Sequence, residues 1–421
     1  MKFVEKVSSR GVKQFAAIFG LLLALPGFLI GFGVLCVTLI LVVDDDSNAV
    51  TGGLLGFGVV AVTLGTGVTL FWHSIASLEK KVSQPLNLLS PWGFFGVFAA
   101  YIFAGSLLFQ SDVLMGLLFP PTIIIIAAIP PLFAVSFFMR RKPNGITWRK
   151  GAIVFTVTAT MSLIFMVVVE GLLLVIWSVS AFNPFVATVQ ALDYSGNLFD
   201  KNLALILTRQ NIGIFIHFVV IIPLVGNFIK ALVTLPFLSQ LSQRESFLLG
   251  AIAGAGYATL EAIILIYFGI DWWIWILIFV AIGSAIHPLG AGLLALAWRD
   301  LLKVGAGAWP KWLANFGLAG TLHILWNLGF FTLGSTQPIL RNWVLLGITN
   351  IALFGLGVMS LWGGWSLGHQ LIDVEKQSMD RQGITDPLSL TDNGIAVWAV
   401  TCLLGIVPVG YIFLQILKKT I

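Results

Sequence analysis

Six side chains with useful chemistry lie in the middle of this chain, each inside a long apolar run: Asn227, Lys230, Glu261, His287, His323 and Asn327. A carboxylate and two imidazoles can move protons, activate water or ligate a divalent metal, and an amide can donate to a developing oxyanion. Asn227 and Lys230 are three residues apart and His323 and Asn327 four, so on helices each pair shares a face. Glu170 and His217 are two further ionisable residues in apolar runs, whereas His73 sits about one turn from the end of its run, an interfacial placement. A lone His or Asn in a membrane helix commonly serves as an interhelical hydrogen-bond partner worth ~0.6 kcal/mol. Convergence of several such groups, rather than any one of them, points to a site.

The elements that must position these residues are membrane helices. Of 421 residues 58% are hydrophobic and only 10% charged. A helix rises ~1.5 Å per residue, so about 20 apolar residues cross the hydrocarbon core. Runs of that length fall at about 14–43, 51–77, 91–110, 113–138, 151–180, 211–238, 246–269, 272–298, 312–334, 342–363 and 394–417. The expected fold is therefore an all-α polytopic integral membrane bundle of about 10–11 transmembrane helices. Pro120, Pro121, Pro130 and Pro131 are expected to break the fourth span, and the polar stretches 181–210 and 364–393 to be loops. The run from Gln14 to Val43 is too long for the apolar region of a signal peptide and reads as an uncleaved span. Cys36 and Cys402, both in apolar segments, give neither a disulfide framework nor a zinc spacing.

Helix rise also sets depth. Measured from the cytoplasmic ends of their spans, Lys230 lies ~12 Å in, Asn227, His287 and His323 ~16 Å, and Glu261 and Asn327 ~22 Å. Four helices of alternating direction thus bring these groups into one slab ~10 Å thick, with Glu170 and His217 nearer the outer face. Gly250, Gly254 and Gly256 are expected to leave one side of the Glu261 helix smooth, so that a neighbour can approach closely.

The ordered set of motifs Gly254-Ala255-Gly256-Tyr257-Ala258-Thr259-Leu260-Glu261, His287-Pro288 and His323-Ile324-Leu325-Trp326-Asn327 resembles the PrsW family of intramembrane proteases, relatives of the CAAX-processing and bacteriocin-immunity membrane peptidases. The resemblance covers about 211–334. It implies that Glu261, His287, His323 and Asn327 are catalytic, with Glu261 as base or ligand, the histidines as ligands or orienting groups and Asn327 as an oxyanion donor. Glu261, His287 and His323 would also be the ligand set for a divalent metal such as zinc, which the sequence does not require.

The first motif of that family, Pro-x-x-Glu-Glu-x-x-Lys, is altered. Pro223 and Lys230 are in place, but Gly226 and Asn227 stand where two glutamates are expected. Asn227 offers no proton acceptor, so either Glu261 with a histidine takes over, or a metal is held differently, or proteolysis has been lost. Replacing both residues by glutamate is expected to raise cleavage, and Glu261 is a candidate acidic partner for Lys230 across the bundle.

These readings divide the chain into a five-span region (1–210), a PrsW-like four-helix core (211–334) and a two-span region (335–421). The expected function is a PrsW-like intramembrane protease or a catalytically impaired pseudoprotease, cleaving or binding membrane-embedded protein segments. The alternative is a transporter or lipid-handling protein with a buried Glu/His/Lys path, favoured by the prolines of the fourth span and by Glu170. Membrane lipids and a membrane-embedded protein are the expected partners. The net charge of +5 is no nucleic-acid footprint, because the basic residues sit in short loops between apolar runs.

Those loops give an orientation. With the N-terminus in the cytoplasm and spans alternating, 17 of the 23 Lys and Arg residues fall on the cytoplasmic side and 5 outside, with Lys230 in a span. Short loops rich in Lys and Arg stay inside, so the segment from Arg140 to Lys150 is cytoplasmic. A cysteine placed at Asn144 is expected to resist an impermeant thiol reagent in sealed cells and to react after permeabilisation. Equal labelling before permeabilisation would reverse the assignment.

Overall fold

A computed structural model of the chain describes residues 9–43, 49–79, 81–109, 118–139, 146–165, 215–239, 241–336 and 343–379. All regular structure among them is helical, apart from an isolated bridge between Pro85 and Thr147. The helices are α1 (Ser9–Val43), α2 (Ala49–Leu78), α3 (Pro91–Leu108), α4 (Phe119–Met139) and α5 (Trp148–Phe165), then α6 (Ile222–Leu232), the short α7 (Leu235–Leu238) and α8 (Gln243–Phe268). They continue as α9 (Trp273–Gly283), α10 (Ile286–Val304), α11 (Trp309–Thr336) and α12 (Trp343–Met379). A π-turn, His217–Ile221, leads directly into α6. Among the described residues, seven helical stretches are long and apolar enough to cross a membrane, one of them the 62-residue run Ile270–Phe331 that takes in α9, α10 and most of α11. The protein is an all-α polytopic membrane bundle. The expected span 394–417 and the candidate Glu170 lie outside the described residues.

Contacts between backbones fix how the helices run. In α1 and α2, a side chain at Gly20 would meet Phe71, one at Gly27 would meet Thr63 and Leu64, and one at Gly56 would meet Val34, so the pair is antiparallel. Gly151 faces Ile252 and Gly256 faces Phe155, which makes α5 and α8 parallel. Gly250 against Ala291 and Ala295, and Gly254 against His287, make α8 and α10 antiparallel. Without a hydrophobic drive between helices in lipid, such small-residue approaches are what lets neighbours gain dispersion contact. One cluster of buried side chains draws on Phe19, Phe138, Val154, Leu249, Leu293 and Leu371, so the three regions expected from the sequence share a core.

Four expectations change. First, α4 runs unbroken through Pro130 and Pro131, its buried residues including both prolines, because a packed neighbour can support a helix around a missing donor. Second, the span expected at 272–298 is two helices, with the break at Ser284 and Ala285. Pro288 has no N–H to return to Ser284 O, the helix restarts, and His287 falls in the first turn of α10. Third, α12 continues to Met379 through much of the stretch read as a loop. Gly364 and Gly368 lie against Phe138, and Leu371 and Ile372 are buried, so packing overrides the polar composition. Fourth, the glycines of α8 do not make one smooth side. Gly250 and Gly254 face α10, while Gly256 faces the Phe155 carbonyl of α5.

A Cβ at Gly254 would land on the His287 carbonyl, whereas one at Gly317, on an exposed part of α11, would meet nothing within 4 Å. Alanine is favoured over glycine in a helix by ~0.8–1.0 kcal/mol, so Gly317→Ala should be neutral or stabilising. Gly254→Ala should instead lower stability by ~1–3 kcal/mol, the usual cost of overpacking. Thermal unfolding in micelles checks this, and a Gly254→Ala protein more stable than its parent would contradict the close approach.

Candidate functional site

The site is assembled where α6, α8, α10 and α11 meet. The capping box of Ser242 and Glu245 starts α8, and Glu261 lies seven residues beyond Gly254, two turns further along the face that touches α10. That face brings Glu261 to His287. Glu261 Oε2 lies 2.6 Å from His287 Nε2, and Glu261 Oε1 lies 3.8 Å from His323 Nε2. The two imidazole rings stand 4.5 Å apart, nearly perpendicular. His287 and His323 are buried, whereas the Glu261 side chain keeps 25% of its surface exposed. Glu261 is therefore the least buried member of the centre.

Behind His287 lies Lys230, with no exposed surface. Its ammonium nitrogen is 2.8 Å from His287 Nδ1 and 3.1 Å from Asn227 Oδ1, and it lies 3.8 Å above the Tyr257 ring. The aromatic face and two neutral acceptors take the place of a carboxylate at this cation. An ammonium only donates, so His287 Nδ1 accepts from it. The ring proton of His287 then sits on Nε2 and is donated to Glu261. The result is a directed chain from Lys230 through His287 to Glu261. His287 stands between the lysine and the acid that was expected to pair with it.

Asn227 uses both ends of its amide. Its Oδ1 accepts from Lys230, and its Nδ2 donates to Ala319 O of α11 at 2.9 Å. Asn327 donates through Nδ2 to Phe218 O at 3.0 Å. That contact engages one of its two amide hydrogens on the backbone of the π-turn. His217 is buried on the π-turn, with neither ring nitrogen hydrogen-bonded among the described residues. The expected slab thus contains a true cluster, Lys230–His287–Glu261–His323, with Asn227 beside it and Asn327 at its edge.

Tyr257 is the residue that sequence reasoning passed over. It was legible only as an aromatic inside the Gly-rich motif, yet its ring lies 5.3 Å from that of His287 and directly beneath Lys230. It also accounts for Gly226. A Cβ there would approach the Tyr257 hydroxyl to 2.9 Å. A larger side chain at 226 therefore requires the Tyr257 hydroxyl to shift.

Glu261, His287 and His323 each offer a ligand atom, all within 4.8 Å of one another, so donor type and separation suit a divalent metal. Their surroundings suit it less. A ligating histidine normally turns its second N–H toward an acceptor, whereas His287 Nδ1 faces the donor Lys230 and His323 Nδ1 has no partner among the described residues. With the ring proton on Nε2, His287 presents a donor where a metal needs a lone pair. As arranged, the cluster fits proton transfer better than metal binding.

The fold and the cluster together define a polytopic membrane protein with a buried Glu–His–His–Lys centre. No family model, curated protein or solved structure matches the chain.

Proposed function

We propose that the protein is an intramembrane hydrolase of PrsW-like type, acting on peptide bonds of membrane-embedded or juxtamembrane segments. The observation that carries this reading is the meeting of one part-exposed glutamate side chain with two buried imidazoles, the three groups contributed by three helices. Glu261 accepts the proton of an attacking water. His287, oriented by Lys230, holds the carboxylate, and His323 lies close enough to share the attacking water or the tetrahedral intermediate. Turnover is slow, because Asn227 supplies no second acceptor and one Glu261 oxygen is committed to His287. The same features support a second form of the reading: a pseudoprotease that holds a membrane segment without cutting it. Support for a transport path is weaker, since α4 is unbroken at Pro130 and Pro131. The charge asymmetry of the loops supports a cytoplasmic N-terminus.

In proteoliposomes carrying a reporter transmembrane helix, slow cleavage by the natural protein is expected to fall by roughly 10²–10⁴-fold in Glu261→Gln, the usual contribution of a positioned base. Cleavage indifferent to Glu261→Gln would place the chemistry elsewhere. A reporter retained on the natural protein but never cut would decide for the pseudoprotease form.

A further inference from the structure

His323 is fully buried, and neither of its ring nitrogens has a hydrogen-bond partner among the described residues. Packing against His287 and proximity to Glu261 hold the ring, and no hydrogen bond of its own does. Ala319, His323 and Asn327 are spaced by four on α11 and form one stripe. At the lower end of that stripe Ala319 O accepts from Asn227 of α6, and at the upper end Asn327 donates to Phe218 O of the π-turn that begins α6. Each helix thus presents an asparagine whose amide is spent on the other's backbone, one turn to either side of His323.

The upper contact has a specific cause. In the π-turn, Ile222 N–H reaches back to His217 O. Continuing that five-residue register, the donor for Phe218 O would be residue 223, which is proline and has no N–H. In hydrocarbon an unserved carbonyl is costly, and a proline is tolerated where a neighbouring helix supplies the missing donor. Asn327 supplies it.

We infer that Asn327 and Asn227 are positioning residues, a reciprocal amide clamp between α11 and the π-turn–α6 segment that sets the place of His323, with Asn327 standing in for the N–H that Pro223 lacks. This assignment concerns how His323 is held and is independent of whether the centre cleaves peptides.

The clamp makes a selective rescue. Pro223→Ala returns an N–H to the π-turn, or lets it relax to an α-turn in which Ile222 serves Phe218 O; either way the Asn327 donor becomes redundant. Full-length protein with ¹⁵N/¹³C-labelled histidine, in micelles, reports the ring of His323 as the signal absent from His323→Gln. Asn327→Leu should shift that signal and lower the melting temperature. Pro223→Ala/Asn327→Leu should return the signal to its original position and recover most of the melting-temperature loss. Asn227→Leu should also shift the signal, but Pro223→Ala should not correct it, because the carbonyl it abandons belongs to α11. If Asn327→Leu does not accumulate folded, recovery of folded protein in the double variant is the same rescue read as yield. An unmoved His323 signal in Asn327→Leu, absence of rescue in signal or yield, or equal rescue of Asn227→Leu overturns the clamp.

Discussion

The centre depends on how closely the backbones of α8 and α10 approach at Gly254 and His287. Gly254 has no side chain to hold the His287 carbonyl away, and Gly250 lets Ala291 and Ala295 close in one turn further along. In lipid, where apolar surface is not driven from the solvent, close packing of this kind is a main source of helix association. It also sets the chemistry. With Gly254 against the backbone of residue 287, a residue two turns on along the same face lies beside the imidazole, and that residue is Glu261. The break at Ser284 and Ala285 then lets α10 begin at this contact, so His287 is held at a helix start that Pro288 enforces.

From that apposition the rest of the polar network follows by donor and acceptor matching. A buried lysine must find acceptors or an aromatic face, and Lys230 finds Asn227, His287 and Tyr257. Its contact with Nδ1 decides which nitrogen of His287 carries the proton and so which atom faces Glu261. The altered first motif reads differently in this light. Gly226 and Asn227 are complementary to neighbours: one clears space for the Tyr257 hydroxyl, the other joins Lys230 to the Ala319 carbonyl. Together they form a satisfied arrangement in which Glu261, reached through a histidine, is the acid of the cluster among the described residues.

Much of this was legible in the sequence, and the limits have physical reasons. Apolar length identified the chain as a bundle of membrane-crossing helices, because a ~30 Å core imposes it on every crossing helix. Helix rise placed Asn227, Lys230, Glu261, His287 and His323 at a common depth, and they do meet. Depth says nothing about azimuth, however, so it could not show that an amide hydrogen of Asn327 serves Phe218 O. Composition could not show that α12 persists through a polar stretch, since Phe138 and its glycine partners are far apart in the chain. Nor could it show that Tyr257 occupies the space beside residue 226, a relation that exists only between packed helices. Proline misled where it was weighed and went unread where it mattered: α4 tolerates Pro130 and Pro131, whereas Pro288 breaks the span expected at 272–298 and Pro223 calls in a side chain from α11.

The central claim, that Glu261 and His287 form a hydrogen-bonded pair inside the bundle, is tested most directly by a double-mutant cycle. Stability in micelles is measured for the natural protein, Glu261→Gln, His287→Gln and the double variant. A hydrogen bond to a charged group contributes ~1.5–3 kcal/mol, so the two substitutions should be non-additive by at least ~1 kcal/mol, well above the ~0.3–0.5 kcal/mol scatter of independent sites. Additive effects would mean that the two side chains do not meet, and the centre described here would not exist.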